Sequence, residues 1–184
     1  MKDNRARRRK SAAGFTLMEV LIAIVVLTIA LMGLLSALGF AMAATHGSQQ
    51  DLIAKQLATE AMESIFTARN TAQVQWLQIQ NIGAGTNPDG IFLTGPQAIN
   101  QAGPDGILGT ADDAGAGPVI LAGPDGVVGT ADDITLNNFS RTIAITPVAN
   151  TPALRTISVT ITYSVPPLHT IKNYSMTGFI SQYR

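Results

Sequence analysis

The acidic side chains of this 184-residue chain stand in two different settings. Glu19 lies at the start of an apolar run, and residues 20–44 after it carry no charge. Seven aspartates lie within residues 81–134, which contain no Lys or Arg. A carboxylate at membrane depth costs on the order of 2.5 to 3.5 kcal/mol, whereas clustered carboxylates are preferred ligands of Ca²⁺. Glu19 therefore needs a cationic partner, and the aspartate-rich segment is a candidate cation site.

Six of these aspartates belong to a repeated motif. AGPDGILGTADD at 102–113 recurs as AGPDGVVGTADD at 122–133. Ca²⁺ takes about six to eight oxygen ligands, and bends at the glycines could turn backbone carbonyls toward an ion. The loops lack the EF-hand pattern but resemble GPDG-x-x-GT-x-DD repeats of extracellular bacterial proteins suspected of binding calcium. The sequence predicts Ca²⁺ rather than Mg²⁺, held by Asp105, Asp112 and Asp113 in one loop and by Asp125, Asp132 and Asp133 in the other.

A second reading of the repeats needs no metal. Pro-Asp-Gly is a strong turn sequence, and glycine permits the tight bends that follow it. The two copies could be similar hairpin turns and nothing more. Both alternatives stay open at the level of sequence.

The amino-terminal zone has the organisation of a membrane segment. Residues 1–10 hold six basic residues and one acid, a net charge of 6 − 1 = +5. The uncharged run is long enough to cross the roughly 30 Å hydrocarbon core, and a basic head before it is expected to stay cytoplasmic. A secretory signal cut near AMA at 41–43 is an alternative, but its apolar region would be shorter. A plain membrane anchor would explain the run without explaining Glu19. We expect no nucleic-acid partner.

GFTLMEVLIAIVVLTIALMGLL at 14–35 resembles the amino-terminal signature of type IV pilins and type II secretion pseudopilins. Met18 departs mildly from the isoleucine that is more usual there. The resemblance implies that a prepilin peptidase cuts after Gly14 and methylates the new amine of Phe15. It also implies assembly with other pilin subunits into a helical filament, in which Glu19 attracts the Phe15 amine of a neighbour. The positions that match the signature are Gly14, Phe15, Thr16, Leu17 and Glu19.

The remaining chain predicts an α+β pilin fold, a long helix packed on a small antiparallel sheet. An apolar stripe with three- and four-residue spacing continues the helix past the membrane, loosened at Gly47, with Asp51 and Lys55 paired on its other face. Three alternating segments predict the strands: FSRTIAITPV, LRTISVTITYSV and YSMTGFISQ. The predicted zones are the leader 1–14, the transmembrane and polymerisation helix 15–45, its amphipathic continuation 46–80, the loops 81–134 and the sheet 135–184.

No catalytic set is apparent, and we expect no enzyme. His46 and His169 have no carboxylate in an obvious relation, and the only tryptophan, Trp76, is expected to anchor the core or a helix end. ALMGLLSAL and LATEAMESI resemble minor pilins of the pilus-modification type and the minor pseudopilin I subunit. The expected function is that of a minor filament subunit, inserted in a bacterial inner membrane and then carried into a periplasmic or extracellular filament. A major pilin, or a membrane-anchored calcium-binding surface module that does not polymerise, are the alternatives.

Overall fold

The computed structural model of the chain describes residues 14–84, 89–166 and 169–183. All of the predicted leader except Gly14 lies outside these residues. The contacts divide the chain into two compact units, Met1–Ala43 and Ala44–Arg184. The elements are helix α1 (Leu17–Asn70) and strands β1 (Gln97–Ala98), β2 (Ile120–Leu121), β3 (Ile134–Thr135), β4 (Phe139–Val148), β5 (Thr151–Val165) and β6 (Thr170–Ser181).

The main sheet has the strand order β1-β4-β5-β6, and each neighbouring pair is antiparallel. The three predicted strands are therefore confirmed as a meander. Alternation sets their faces, since Ile157, Val159 and Ile161 are fully buried while the intervening hydroxyl side chains point to the other face. The β2–β3 ribbon and β1 were not predicted, because two-residue strands have no periodicity to read.

The part of α1 in the second unit forms one wall of the core. The predicted apolar stripe is confirmed, and it packs closely on the sheet. A Cβ added at Gly178 of β6 would lie 3.3 Å from Met62 Sδ. The helix also passes through Gly47, which is buried, without a break. The buried stripe residues include Ala54, Leu57, Ala58, Ala61, Met62 and Ile65.

Helix α1 ends at Asn70, so the prediction of a continuation to residue 80 is too long. Ala72 has a φ of 59°, and the backbone N–H groups of Gln73 and Val74 both donate to the Ala68 carbonyl, at 3.0 and 3.3 Å. A left-handed residue with such back-bonding is a common way to end a helix. Glycine usually occupies that position. Because Ala72 stands there instead, the end of α1 could not be predicted from the sequence.

The predicted pair of Asp51 with Lys55 is replaced by a tertiary pair. Asp51 accepts hydrogen bonds from the Tyr163 hydroxyl at 2.7 Å and from Lys172 Nζ at 3.1 Å. The Tyr163 hydrogen bond, followed by that of Lys172, lowers the pKa of Asp51. Burial and the Asp51 hydrogen bond raise the pKa of Tyr163 to about 12. The sheet brings these partners to the helix face, which local spacing could not show.

Candidate functional sites: the motif segment and the repeated aspartate loops

The functional groups of the motif segment are exposed, and they lie just before and within the first turn of α1. Gly14 is exposed, and Phe15 is 81% exposed. The backbone N–H of Glu19 donates to the Thr16 carbonyl at 3.0 Å and to Thr16 Oγ1 at 3.2 Å. Thr16 thus supplies the capping oxygen, and a carboxylate in the first turn is favoured by the positive end of the helix. The peptide bond between Gly14 and Phe15 lies ahead of the helix and joins two exposed residues.

The apolar run that follows is helical, and its large side chains are exposed. Helix α1 is long and apolar enough to cross a membrane, and no residue of its most apolar window is buried within the chain. A core helix of a soluble protein would bury such side chains. The arrangement fits a helix that lies in lipid, and hence membrane anchoring.

The two aspartate-rich repeats begin with the same turn. Gly106 donates its backbone N–H to the Gly103 carbonyl at 2.9 Å, and Gly126 donates to Gly123 at 3.0 Å. The φ angles of Gly106 and Gly126 are 70° and 72°, values that side chains disfavour. Each GPDG segment therefore forms a tight turn with Pro and Asp at its centre.

The aspartates stabilise these turns from inside. Asp112 accepts from Thr110 Oγ1 at 2.5 Å and from the Asp105 backbone N–H at 3.2 Å. The Thr110 hydrogen bond, and then that of Asp105, lowers the pKa of Asp112. Asp105 in turn accepts from the Ile107 backbone N–H at 2.8 Å. In the second copy Asp132 has the equivalent bonds, at 2.6 and 3.3 Å, and its pKa is lowered for the same reasons.

This geometry does not form a ready-made metal cage. Across residues 14–84, 89–166 and 169–183 there is no group of three or more His, Cys, Asp or Glu side chains that could hold a metal ion. The aspartates accept hydrogen bonds from backbone N–H groups and threonine hydroxyls, which use part of their acceptor capacity. The hydrogen bonds thus support the turn alternative, and calcium binding stays a prediction.

A cation lies beside the first repeat, although residues 81–134 themselves contain no Lys or Arg. Asp113 accepts from the backbone N–H of Gly103 at 3.0 Å and of Gly109 at 2.6 Å. Its Oδ2 lies 3.5 Å from Arg141 Nη2, and both side chains are buried. Burial lowers the pKa of Arg141, and the charge of Asp113 opposes that shift. Asp113 therefore joins the first loop to strand β4.

Among the described residues, the second repeat has no such partner. Asp133 Oδ2 accepts from the backbone N–H of Gly129 at 2.6 Å and of Thr130 at 3.2 Å. Its Oδ1 is out of contact with solvent and has no hydrogen-bond partner. In the described part of the chain Asp133 has no ion pair, so its negative charge is stabilised by hydrogen bonds within the turn.

The tips of the two loops differ in the same way. Ile107 and Leu108 are 2% and 3% exposed, whereas Val127 and Val128 are 55% and 61% exposed. The Leu108 backbone N–H donates to Ser64 Oγ of α1 at 2.9 Å. The first loop is docked in the core, and the second stands in solvent beyond the β2–β3 ribbon that flanks it.

Two structural residues were missed by sequence reasoning. Arg141 lies in the predicted strand β4 but was not identified as the partner of an aspartate. Asn81 extends the sheet beyond the short strand β1, since its side chain donates to the Ile143 carbonyl at 2.8 Å and accepts from the Ile145 backbone N–H at 2.8 Å. Both act across long stretches of sequence, and no local pattern marks them.

Trp76 lies just past the end of α1 and packs against the core. The Arg155 guanidinium stacks over its ring at 4.4 Å and donates to the Trp76 carbonyl at 2.7 Å. The ring thus anchors the segment after the helix, as expected.

Comparison with known proteins bears on the motif segment. Residues 9–35 match the family model described as the prokaryotic N-terminal methylation motif. No curated protein and no solved structure gives a significant match. The chain carries the prokaryotic N-terminal methylation motif, the signature of type IV pilins, on a pilin-like α+β architecture of one long apolar helix and a four-stranded antiparallel sheet.

Proposed function

We propose that this chain is a minor structural subunit of a type IV pilus or type II secretion filament, processed after Gly14 by a prepilin peptidase. The observation that carries the proposal is the methylation motif at residues 9–35 together with Glu19 in the first turn of an exposed apolar helix. A mere anchor requires neither the motif nor the acid. The work of such a subunit is association, and we propose no catalysis.

Cleavage would place a positive amine four residues before a negative side chain. Phe15 and Glu19 line the same shallow groove on the first turns of the helix, with four apolar side chains around them. Within one chain the amine would also face the positive end of its own helix. In a filament the Glu19 carboxylate of one subunit neutralises the Phe15 amine of the next, and the low dielectric strengthens that attraction. Pairing offsets the desolvation of both groups.

Substitution of Glu19 tests this role. Glu19→Val should leave membrane insertion and cleavage intact, because it removes a charge from a membrane segment, and should reduce incorporation into filaments several-fold. Glu63→Val is the matched control, since Glu63 is an exposed acid on the same helix outside the motif. Immunoblots of sheared filaments and of membranes measure incorporation and insertion separately. Equal incorporation of Glu19→Val and wild type would refute the pairing.

The non-polymerising surface module is the competing function. It would keep the same membrane helix and expose the same loops, and it would tolerate loss of Glu19. A major pilin would instead be the bulk component of the filament. Quantifying the chain against other subunits in purified filaments separates minor from major, and a chain found only in the membrane would favour the surface module.

Calcium binding by the repeated loops stays a separate prediction. Six aspartates lie in the two copies, and the Arg141 contact is the ion pair found there among the described residues. Binding would require the carboxylates to exchange their backbone partners for the ion, and Asp133 Oδ1 has no partner to lose. Calorimetry of Asp132→Ala with Asp133→Ala, beside Asp112→Ala with Asp113→Ala, measures the contribution of each loop. If calorimetry detects no heat of Ca²⁺ binding to either loop, both repeats are turns without a metal.

A further inference from the structure

Strand β6 is an edge of the main sheet. In the described part of the chain, β5 pairs with β6 on one side and no strand pairs with it on the other. It is twelve residues long, it contains no proline, and its pairing with β5 shows no bulge. Its one charged residue, Lys172, is bonded to Asp51. Natural sheets protect edges with prolines, bulges and free charges. Arg69 of α1 donates to the Ser181 carbonyl at the end of β6, whereas residues 171–179 carry no such protection.

The register identifies which backbone groups of β6 are open. The backbone N–H of Ser164 in β5 donates to the Asn138 carbonyl, on the side of β5 that faces β4. Ile171 of β6 lies opposite Ser164. Because Ser164 points its backbone groups away from β6, this is a non-hydrogen-bonded pair, and Ile171 makes no ladder bonds to β5. Alternation along the antiparallel pair then directs the N–H and C=O groups of every second residue to the free edge. The residues whose groups stay open are Ile171, Asn173, Ser175, Thr177 and Phe179, and all five are exposed. The next one, Ser181, has its carbonyl bound by Arg69.

The same five residues are self-complementary about Ser175. An antiparallel pairing of two β6 strands with Ser175 opposite Ser175 places Asn173 opposite Thr177 and Ile171 opposite Phe179. Ile171 and Phe179 are 71% and 62% exposed, and they are the large apolar side chains exposed on this strand. The dimer therefore contains two Ile171–Phe179 pairs, one on each side of the twofold axis. Cross-strand pairs of aromatic and β-branched side chains stabilise sheets.

The opposite face of the strand fits the same register. Tyr174 comes opposite Met176, a favourable sulfur–aromatic pair, and Lys172 comes opposite Gly178. No like charges meet. We propose that a second copy of this chain binds along β6, joining two four-stranded sheets into one continuous antiparallel sheet.

This contact is independent of the proposed function. A twofold strand pair is an isologous contact that closes on itself, whereas successive subunits of a helical filament meet through heterologous contacts. The β6 contact therefore joins two chains that are not successive in one filament. A single strand pair buries less area than a standard interface, so it acts where membrane anchoring raises the effective concentration of the chains.

The full chain contains no cysteine, which makes cross-linking specific. In cells that express full-length Ser175→Cys, two cysteines would face each other in a hydrogen-bonded pair. The Cα separation would be about 5.5 Å, within the disulfide range. Mild oxidation of their membranes should give a covalent dimer. Thr146→Cys is the control, because Thr146 is exposed on the same face of the sheet but lies on β4. No dimer with Ser175→Cys, or an equal yield with Thr146→Cys, would overturn the proposal.

Two further arms test the register and the apolar pair. Co-expressed Asn173→Cys and Thr177→Cys chains should give a mixed dimer that exceeds either self-dimer. Phe179→Lys in the Ser175→Cys chain should reduce the dimer several-fold, while Val128→Lys, at a similarly exposed valine, should not. Trp76 fluorescence verifies that each variant is folded. Self-dimers in place of the mixed dimer, or a Phe179→Lys chain that cross-links as before, would contradict the pairing.

Discussion

The two copies of the AGPDG-x-x-GTADD motif make the same turn in opposite surroundings. In both copies a glycine ends the Gly-Pro-Asp-Gly turn, and the first aspartate of the Asp-Asp pair accepts a hydrogen bond from a threonine hydroxyl. Only the first copy enters the core, where its tip meets α1 and its last aspartate meets Arg141. A Cβ at Gly109 would overlap Ile143, while at Gly129 nothing lies within 4 Å. Local chemistry thus sets the shape of the loop, and distant residues decide whether it is buried.

The largest difference between the copies is expected at the last aspartate. Asp113→Ala removes the buried partner of Arg141 and the two hydrogen bonds that the carboxylate accepts from backbone N–H groups. It should lower the free energy of unfolding by about 3–5 kcal/mol. Asp133→Ala should cost about 1 kcal/mol, since it removes turn hydrogen bonds at a more exposed loop. Denaturant unfolding of the full chain in detergent, followed by Trp76 fluorescence, measures both. Equal losses would mean that the buried ion pair is not what distinguishes the copies.

The loop tips should also differ. Leu108→Ala leaves a cavity in the core and should cost about 2–5 kcal/mol, with a value near the lower end if the loop can collapse. Val128→Ala removes a side chain that is 61% exposed and should change the free energy of unfolding by no more than about 0.5 kcal/mol. The same unfolding assay applies. A large effect at Val128 would show that the second tip is covered in the folded chain.

The smallest effect should be the same in the two copies. Thr110→Val and Thr130→Val remove the hydroxyl donors that lower the pKa of Asp112 and Asp132, so each pKa should rise toward its ordinary value. A carboxyl with a lowered folded pKa adds stability above its unfolded pKa, and this is lost as the pH falls through the folded value. The variants should therefore lose less stability on acidification. NMR titration of the carboxyl carbons gives each pKa directly, and a shift in only one copy would show that the turns differ.

The sequence was sufficient where the pattern is local. The stripe through Ala54 and Ile65 and the alternation through Ile157 follow from helix and strand periods, and both were confirmed. The end of α1 was not predictable, because Ala72 takes a left-handed conformation without being glycine.

Contacts between distant residues could not be read from the sequence. Arg141 meets Asp113 only after β4 and the first loop have folded together. The copies differ only at their tips, where the buried one has Ile107 and Leu108 and the exposed one has two valines. That difference in side-chain size was the one available indication of which copy is buried. The motif segment is the reverse case, because Gly14, Phe15 and Glu19 are identified by sequence while their role depends on other molecules.

The most direct test of the proposed function is the intact mass of the mature chain, made in cells that contain a prepilin peptidase. We expect a chain that begins at Phe15 with a methylated amine and has 184 − 14 = 170 residues. Gly14→Ala, which alters the residue before the cut, should leave the precursor uncleaved. A mature chain that begins at Ala44, or a precursor that stays intact beside an active peptidase, would rule out the proposed function.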